Sequence, residues 1–210
     1  MRRLRLIGLA AFTSALPAFA VRAQAPASDS TGFRAGQWGT EFTLGSNLGN
    51  PTGVGALRFH SARRALLLDV LGRVSWQSGE ALLTENQTFG RLRLGTRWYR
   101  PVTRQILQSL TLGVLMSRDQ RTQEQRYVVS GDSVKTRSTI AGGGLFAELG
   151  ANWMVTSHLS LGAAWHTDVT HTRITQRTEG GGPMLLPPNV RSTQWSASLG
   201  QLVLRAGVYF

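Results

Sequence analysis

From Gly36 to Phe210, apolar residues recur at every second position in segments separated by turn-forming residues. A period of two marks a β-strand, because successive side chains point to opposite faces. The last segment sets Leu202, Leu204, Ala206, Val208 and Phe210 against Gln201, Val203, Arg205, Gly207 and Tyr209. Seven others precede it. The first (36–45) alternates Trp38, Thr40, Phe42 and Leu44 with Gln37, Gly39, Glu41 and Thr43, and in the second (53–60) Leu57 and Phe59 oppose Arg58 and His60. The third (65–77) carries Leu66, Leu68, Val70, Val74 and Trp76 opposite Asp69, Arg73 and Ser75. In the fourth (88–100), Leu92, Leu94, Thr96 and Trp98 alternate with Arg91, Arg93 and Arg97. The fifth starts near Ile106, shows Leu110, Leu112, Val114 and Met116 on one face, then turns wholly polar. The sixth ends at Met154, with Leu145, Ala147, Leu149, Ala151 and Trp153 opposite Glu148 and Asn152; Gly142, Gly143 and Gly144 are expected to allow a bend or bulge in it. The seventh sets Leu159, Leu161, Ala163, Trp165 and Val169 against Ser160, His166 and Asp168.

Short connections (61–64, 101–104, 156–158) alternate with longer ones, including the Asn/Gly/Pro-rich 46–52, the segment 78–87 and the Gly/Pro-rich 179–189. The asymmetry is that of a membrane barrel with brief turns at one end and long loops at the other. Eight strands place both ends of the domain on the same side.

The chain opens with Met1-Arg2-Arg3-Leu4-Arg5, followed by an apolar run and small residues around Ala23. That is the layout of a cleaved export signal, assigned to 1–23, followed by a short polar lead at 24–35 and one domain at 36–210. Beyond the signal there is no run of 18 apolar residues, so a spanning helix is not expected. A chain of this kind crosses a membrane only by closing into a barrel. Removing the four arginines of 1–23 lowers the formal charge from +12 to +8. All but Lys135 of the basic residues are arginine, which suits phosphate and carboxylate partners. Export argues against nucleic acid as a partner, and the absence of cysteine argues against a disulfide scaffold.

Energetics choose the outer face. A Lys or Arg facing lipid at mid-bilayer costs roughly 2–4 kcal/mol, and in this register the arginines lie opposite the Leu, Val and Trp set. The apolar face is therefore expected to meet lipid, with Trp38, Trp76, Trp98, Trp153, Trp165 and Phe210 forming aromatic belts. The other face is expected to fill the lumen with an ionic network of Glu41, Arg58, Asp69, Arg73, Arg91, Arg93, Arg97, Glu148, His166, Asp168 and Arg205, with His60 beside them. Six arginines against four acids predict a positive excess, completed by water or an anion. The polar ends of strands five to eight exceed the ~9–11 residues a tilted span needs. They are expected to project as hairpins whose cations, Arg118, Arg121, Arg126, Lys135, Arg137, Arg173, Arg177 and Arg191, face lipopolysaccharide phosphates.

These features resemble the small eight-stranded bacterial outer-membrane barrels of the OmpA and OmpX type. The resemblance covers 36–210 and rests on strand count, loop asymmetry and the closing alternation from Leu202 to Phe210. It implies an all-β, eight-stranded antiparallel transmembrane up-and-down β-barrel, a monomer in the bacterial outer membrane, with lipid and lipopolysaccharide around it. It also implies that the barrel-assembly machinery reads the stretch ending at Phe210. The role it implies is structural or surface-interactive, and no catalytic, cofactor or metal site is expected. Two other readings are kept. A lipid A deacylase uses a His and a Ser two residues apart, a spacing shared by His158 and Ser160, although Leu161 stands where that family has Asn. His166 and Asp168 share a face and form a second conceivable base and orienter. The third reading is a narrow solute channel.

Overall fold

The computed structural model describes residues 32–45, 52–78, 83–126, 133–180 and 189–210. The signal at 1–23 and most of the polar lead lie outside the described residues. Eight strands form, β1 Trp38–Gly45, β2 Thr52–Ser61, β3 Arg64–Ser78, β4 Leu83–Pro101, β5 Ile106–Arg126, β6 Ser133–Met154, β7 Leu159–Gly180 and β8 Val190–Tyr209. Each pairs antiparallel with its sequence neighbour, and β1 pairs with β8, so the ring is closed. At the seam, the Trp38 and Phe210 backbones exchange both hydrogen bonds at 3.0–3.1 Å. The terminal aromatic is thus built into the closure.

The short connections are as the sequence implies. Thr103 Oγ1 accepts from the Ile106 amide (3.0 Å) and Thr156 Oγ1 from the His158 amide (3.2 Å), the hydroxyl-to-backbone bonds that fix tight turns. The loop expected over 78–87 is mostly strand. Leu83 to Gln87 continues β4, pairing Glu85 with both Gln77 and Gln123. Its polarity had masked it, because a wall wet on both faces carries no apolar alternation.

Strand length rises from 8 residues in β1 to 22 in β6 and β7. β1 ends opposite Val203 and β2 begins opposite Gly72. Beyond that level the wall consists of β3 to β8 among the described residues.

The bulge allowed at Gly142 to Gly144 is not there. Pairing with β5 and β7 runs through it without a break. The glycines instead permit close approach: a Cβ on Gly144 would lie 2.0 Å from the Val169 carbonyl oxygen. The interruption falls in β8, where His166 pairs with Gln201 but Asp168 with Ser198. Gly200 adopts φ +80° there, the conformation a bulge needs and glycine supplies. One extra residue reverses the facing of β8 beyond it, so Trp195 and Leu199 join Leu202 and Leu204 outside, 73 % and 70 % exposed. Trp195 is absent from the expected aromatic belts, because an unbroken period of two from Leu202 puts it on the other face.

The core lies inside the ring. At the end holding the short turns, Phe33, Leu57, Phe59, Leu67, Tyr99, Leu107 and Tyr209 pack together. Phe33 enters from the lead, with its ring centroid 4.2 Å from Phe59 and 4.8 Å from Tyr209. The segment is held by backbone bonds between Gly36 and Gln37 and Phe59. The sequence reading had left this apolar plug out.

Candidate functional site: an ionic layer inside the barrel

A few residues further along the same strands, the chemistry of the interior changes. β4 carries Tyr99 in the plug and Arg97 and Arg93 beyond it; β3 carries Leu67, then Asp69; β8 carries Tyr209, then Arg205. Strand alternation points all of these side chains inward. Glu41, Asp69, Arg93, Arg97, Glu148, His166, Asp168 and Arg205 are buried, and Arg91 lies at the layer's edge with 18 % of its side chain exposed.

Glu148 is the hub. One of its oxygens accepts from Arg93 and lies 3.0 Å from His166 Nδ1, while the other accepts from Arg205 and lies 3.8 Å from Arg97. Glu41 bridges Arg97 and Arg205, with Arg205 Nε 2.7 Å from Oε1, and Arg97 also donates to Thr111 Oγ1 at 2.9 Å. Asp69 accepts from Arg93. Asp168 lies 3.0 Å from His166 Nε2 and 3.3 Å from Arg91. Both ring nitrogens of His166 therefore face carboxylate oxygens, which only accept, so both act as donors. Buried charges are tolerated in this form because each is paired and hydrogen-bonded.

Two members of the expected network lie elsewhere. Arg58 is exposed on the outer face, its guanidinium 5.3 Å from the centroid of the Trp38 ring, and His60 is exposed beside it. The cost of an outward arginine applies at mid-bilayer and falls to roughly 0–1 kcal/mol at the interface. Arg58 pairs with Trp38 near the rim. The interior at that height requires Leu57 and Phe59, so β2 faces the opposite way from the expectation. Arg64 stacks similarly on Trp98, at 5.6 Å. Arg73 sits higher and donates to Gln87 Oε1 (3.1 Å), while Gln87 Nε2 donates to both Asp119 oxygens at 2.9–3.1 Å. The main layer therefore sets four arginines, not six, against four carboxylates. The expected count of six had included Arg58 and Arg73, and the doubly donating His166 is the one further cation in the layer among the described residues.

The sequence reading missed this upper tier. Above Gln87 and Asp119, Glu85 accepts from Arg121 (2.6 Å) and Gln123 (3.0 Å), bonds that hold its carboxyl below the ordinary range. A cavity of about 260 Å3 opens among Gln87, Asp119, Arg121, Thr136, Ser138 and Gln176. Extending the alternation of Arg91 and Arg93 back through Gln87 to Glu85 would have found it.

The His158–Ser160 pairing does not form, and the His166–Asp168 pairing forms without a free base. Ser160 Oγ lies 2.9 Å from the Tyr209 hydroxyl, and His158 Nδ1 lies 2.9 Å from the Tyr209 carbonyl. The His166–Asp168 contact exists, but the other ring nitrogen is bonded to Glu148, leaving no free base.

On the outside all six tryptophans are at least 37 % exposed. Trp38, Trp98, Trp153 and Phe210 ring the short-turn end, Trp76 and Trp195 lie towards the other end, and Trp165 falls between. An apolar exterior around a charged interior inverts the soluble arrangement.

A closed eight-stranded antiparallel barrel of this kind has the fold of the small outer-membrane β-barrels. A solved structure shares that fold. A major outer membrane protein from Thermus thermophilus superposes with a TM-score of 0.52 at 13 % identity, over 83 % of this chain and 98 % of that one. CarO of Acinetobacter baumannii gives 0.47 at 10 % identity, over 84 % and 97 %. OprG of Pseudomonas aeruginosa gives 0.41 at 17 % identity, also over 84 % and 97 %. No family model matches the chain, and no curated protein sequence does.

Proposed function

We propose that this chain is an integral protein of the bacterial outer membrane with a structural or surface-interactive role, standing as a monomer among outer-membrane lipid and lipopolysaccharide. The carrying observation is the exterior: Leu66, Leu68, Leu92, Leu94, Leu110, Leu112, Leu202 and Leu204 face outward in a continuous apolar band between aromatic belts. In water such a band would be far larger than the apolar patches soluble monomers expose. In this reading the short turns and both ends of the barrel lie in the periplasm, and the tall wall of β3 to β8 stands outside the cell. The ionic layer and aromatic plug together fill the interior, which favours a sealed cylinder over a channel. The Ser160 and His158 contacts favour a non-enzymatic role over lipid A hydrolysis.

The test is gel mobility of the protein from purified outer membranes. A folded barrel migrates differently before and after boiling, and identical mobility in both states overturns the reading. Protease added to whole cells is expected to cut near Arg121 and to spare Arg63 and Arg64.

A further inference from the structure

The strand register places outward residues in transverse rows. One row runs Val70, Leu92, Met116, Gly143, His171 and Trp195 from β3 to β8. The next row, towards the long loops, runs Gly72, Gly90, Arg118, Ala141, Arg173 and Thr193. The apolar exterior ends between the two. At this boundary a groove of about 660 Å3 is cut into the outer surface, with Gly90 and Ala141 as floor, Val70, Leu92 and Met116 on the apolar side, and Arg118 and Arg173 on the other.

The two arginines flank Ala141 from adjacent strands, so their Cα atoms are about 10 Å apart, two strand spacings. Both are exposed, and neither forms an ion pair among the described residues. With the Gln120 amide turned to accept, Arg118 donates to it at 2.6 Å, which holds the guanidinium without neutralising it. Ala141 leaves the space between them open. The His171 and Trp195 rings, 4.9 Å apart in the row below, mark the depth at which amphipathic rings sit in a membrane interface. Further out, Arg137 and Arg177 stand directly opposite each other on the same face. Like charges so placed repel, and an anion between them relieves the repulsion.

We propose that this groove is a binding site for the phosphorylated glycolipid of the outer leaflet: one acyl chain lies over Gly90 between Val70, Leu92 and Met116, and a lipid A phosphate is held between Arg118 and Arg173. The proposal rests on the outer-membrane reading and gives it a specific partner. Guanidinium forks bind phosphate oxygens bidentately and strengthen at a water-poor interface. A soluble anion would satisfy the arginines but leave the apolar half of the groove empty. The Arg137–Arg177 pair then meets the anionic sugar core above.

The experiment titrates the folded chain in neutral detergent micelles with lipid A, with the same lipid A stripped of its phosphates, and with inorganic phosphate, and reads bound lipid by native mass spectrometry. The wild type is expected to retain one lipid A and to prefer it over the dephosphorylated form by about tenfold or more. Arg118→Gln/Arg173→Gln is expected to lose that preference. Gly90→Leu fills the groove and is expected to weaken lipid A about as much. A Cβ at Gly90 meets nothing within 4 Å, so the substitution starts without a backbone clash, and retained heat-dependent mobility is the check that the variant folds. Millimolar inorganic phosphate is expected not to compete. Unchanged lipid A affinity in the double variant, unchanged affinity in Gly90→Leu, or full competition by inorganic phosphate overturns the site. A wild-type chain that inserts into bilayers yet does not distinguish the two lipids sinks only the groove. A chain that does not insert sinks the membrane reading itself.

Discussion

At the short-turn end the barrel is filled by Phe33, Phe59, Tyr99 and Tyr209; two to six residues along the same strands it is filled by Arg93, Arg97, Arg205 and their carboxylates. Both layers fill the interior, by opposite means. The plug is held by non-directional packing, and one of its members arrives on the lead and not on a strand. The ionic layer depends on geometry: Glu148 serves Arg93, Arg97, Arg205 and His166 together. The plug is expected to repack when one member is lost, and the ionic layer is not.

The largest expected effect tests that contrast. Asp69 has one ion-pair partner among the described residues, Arg93. Arg93→Met strands that carboxylate in the interior and is expected to cost about 3–5 kcal/mol, the range for breaking a buried pair. Adding Asp69→Leu removes the orphan and is expected to restore most of the loss. Urea unfolding in lipid vesicles, followed by tryptophan fluorescence, measures both. If the double variant is no more stable than the single one, geometry is not what the layer depends on.

Phe59→Ala comes next, at about 3 kcal/mol, the low end for a buried aromatic, because Phe33 on its non-strand segment can move into the space. The same titration reads it, and bilayer recordings of this variant are expected to stay silent because the ionic layer above is intact. Conduction in Phe59→Ala would mean that the plug, not the layer, seals the cylinder.

How much of this was legible follows from what alternation encodes. The period of two fixed which residues share a face in most strands, and the charged residues chose the inner one for β3, β4, β6 and β7. It failed in β2, where Leu57 and Phe59 lie inside and Arg58 outside. The charge argument is a mid-bilayer argument, and at the rim tryptophan and arginine share the interface. It failed in outer β8, because one glycine at φ +80° reverses every later side chain without altering the sequence pattern on either side of it. The nine residues of the ionic layer are all legible in the sequence, but their partners are not. Which arginine meets which acid depends on barrel register, which no single strand records.

A smaller change sharpens the rim. Arg58→Ala removes a cation from the face of Trp38 and is expected to cost about 0.5–1 kcal/mol, the size of an exposed cation–π contact. Had Arg58 been in the lumen, its loss would have cost several times more. The same unfolding assay separates the two.

The smallest effect lies where the ionic chemistry leaves the barrel wall for open water. Glu85 repeats the arginine–carboxylate motif of the layer, but half of the Arg121 side chain is exposed. Its hydrogen bonds from Arg121 and Gln123 favour the ionised form, so its folded pKa lies below the ordinary carboxylate value. For a lowered acid, the stabilisation is complete above the ordinary value and disappears as pH falls through the folded one. Arg121→Gln is therefore expected to raise the Glu85 midpoint towards the ordinary range, read by carboxyl-carbon NMR in micelles, with little change in unfolding at neutral pH. Added salt is expected to shrink the shift, because an exposed pair is screened. A midpoint that ignores both Arg121 and salt would show that Glu85 belongs with the sheltered network below it, and the boundary between a buried interior and a solvated wall would have to move outward.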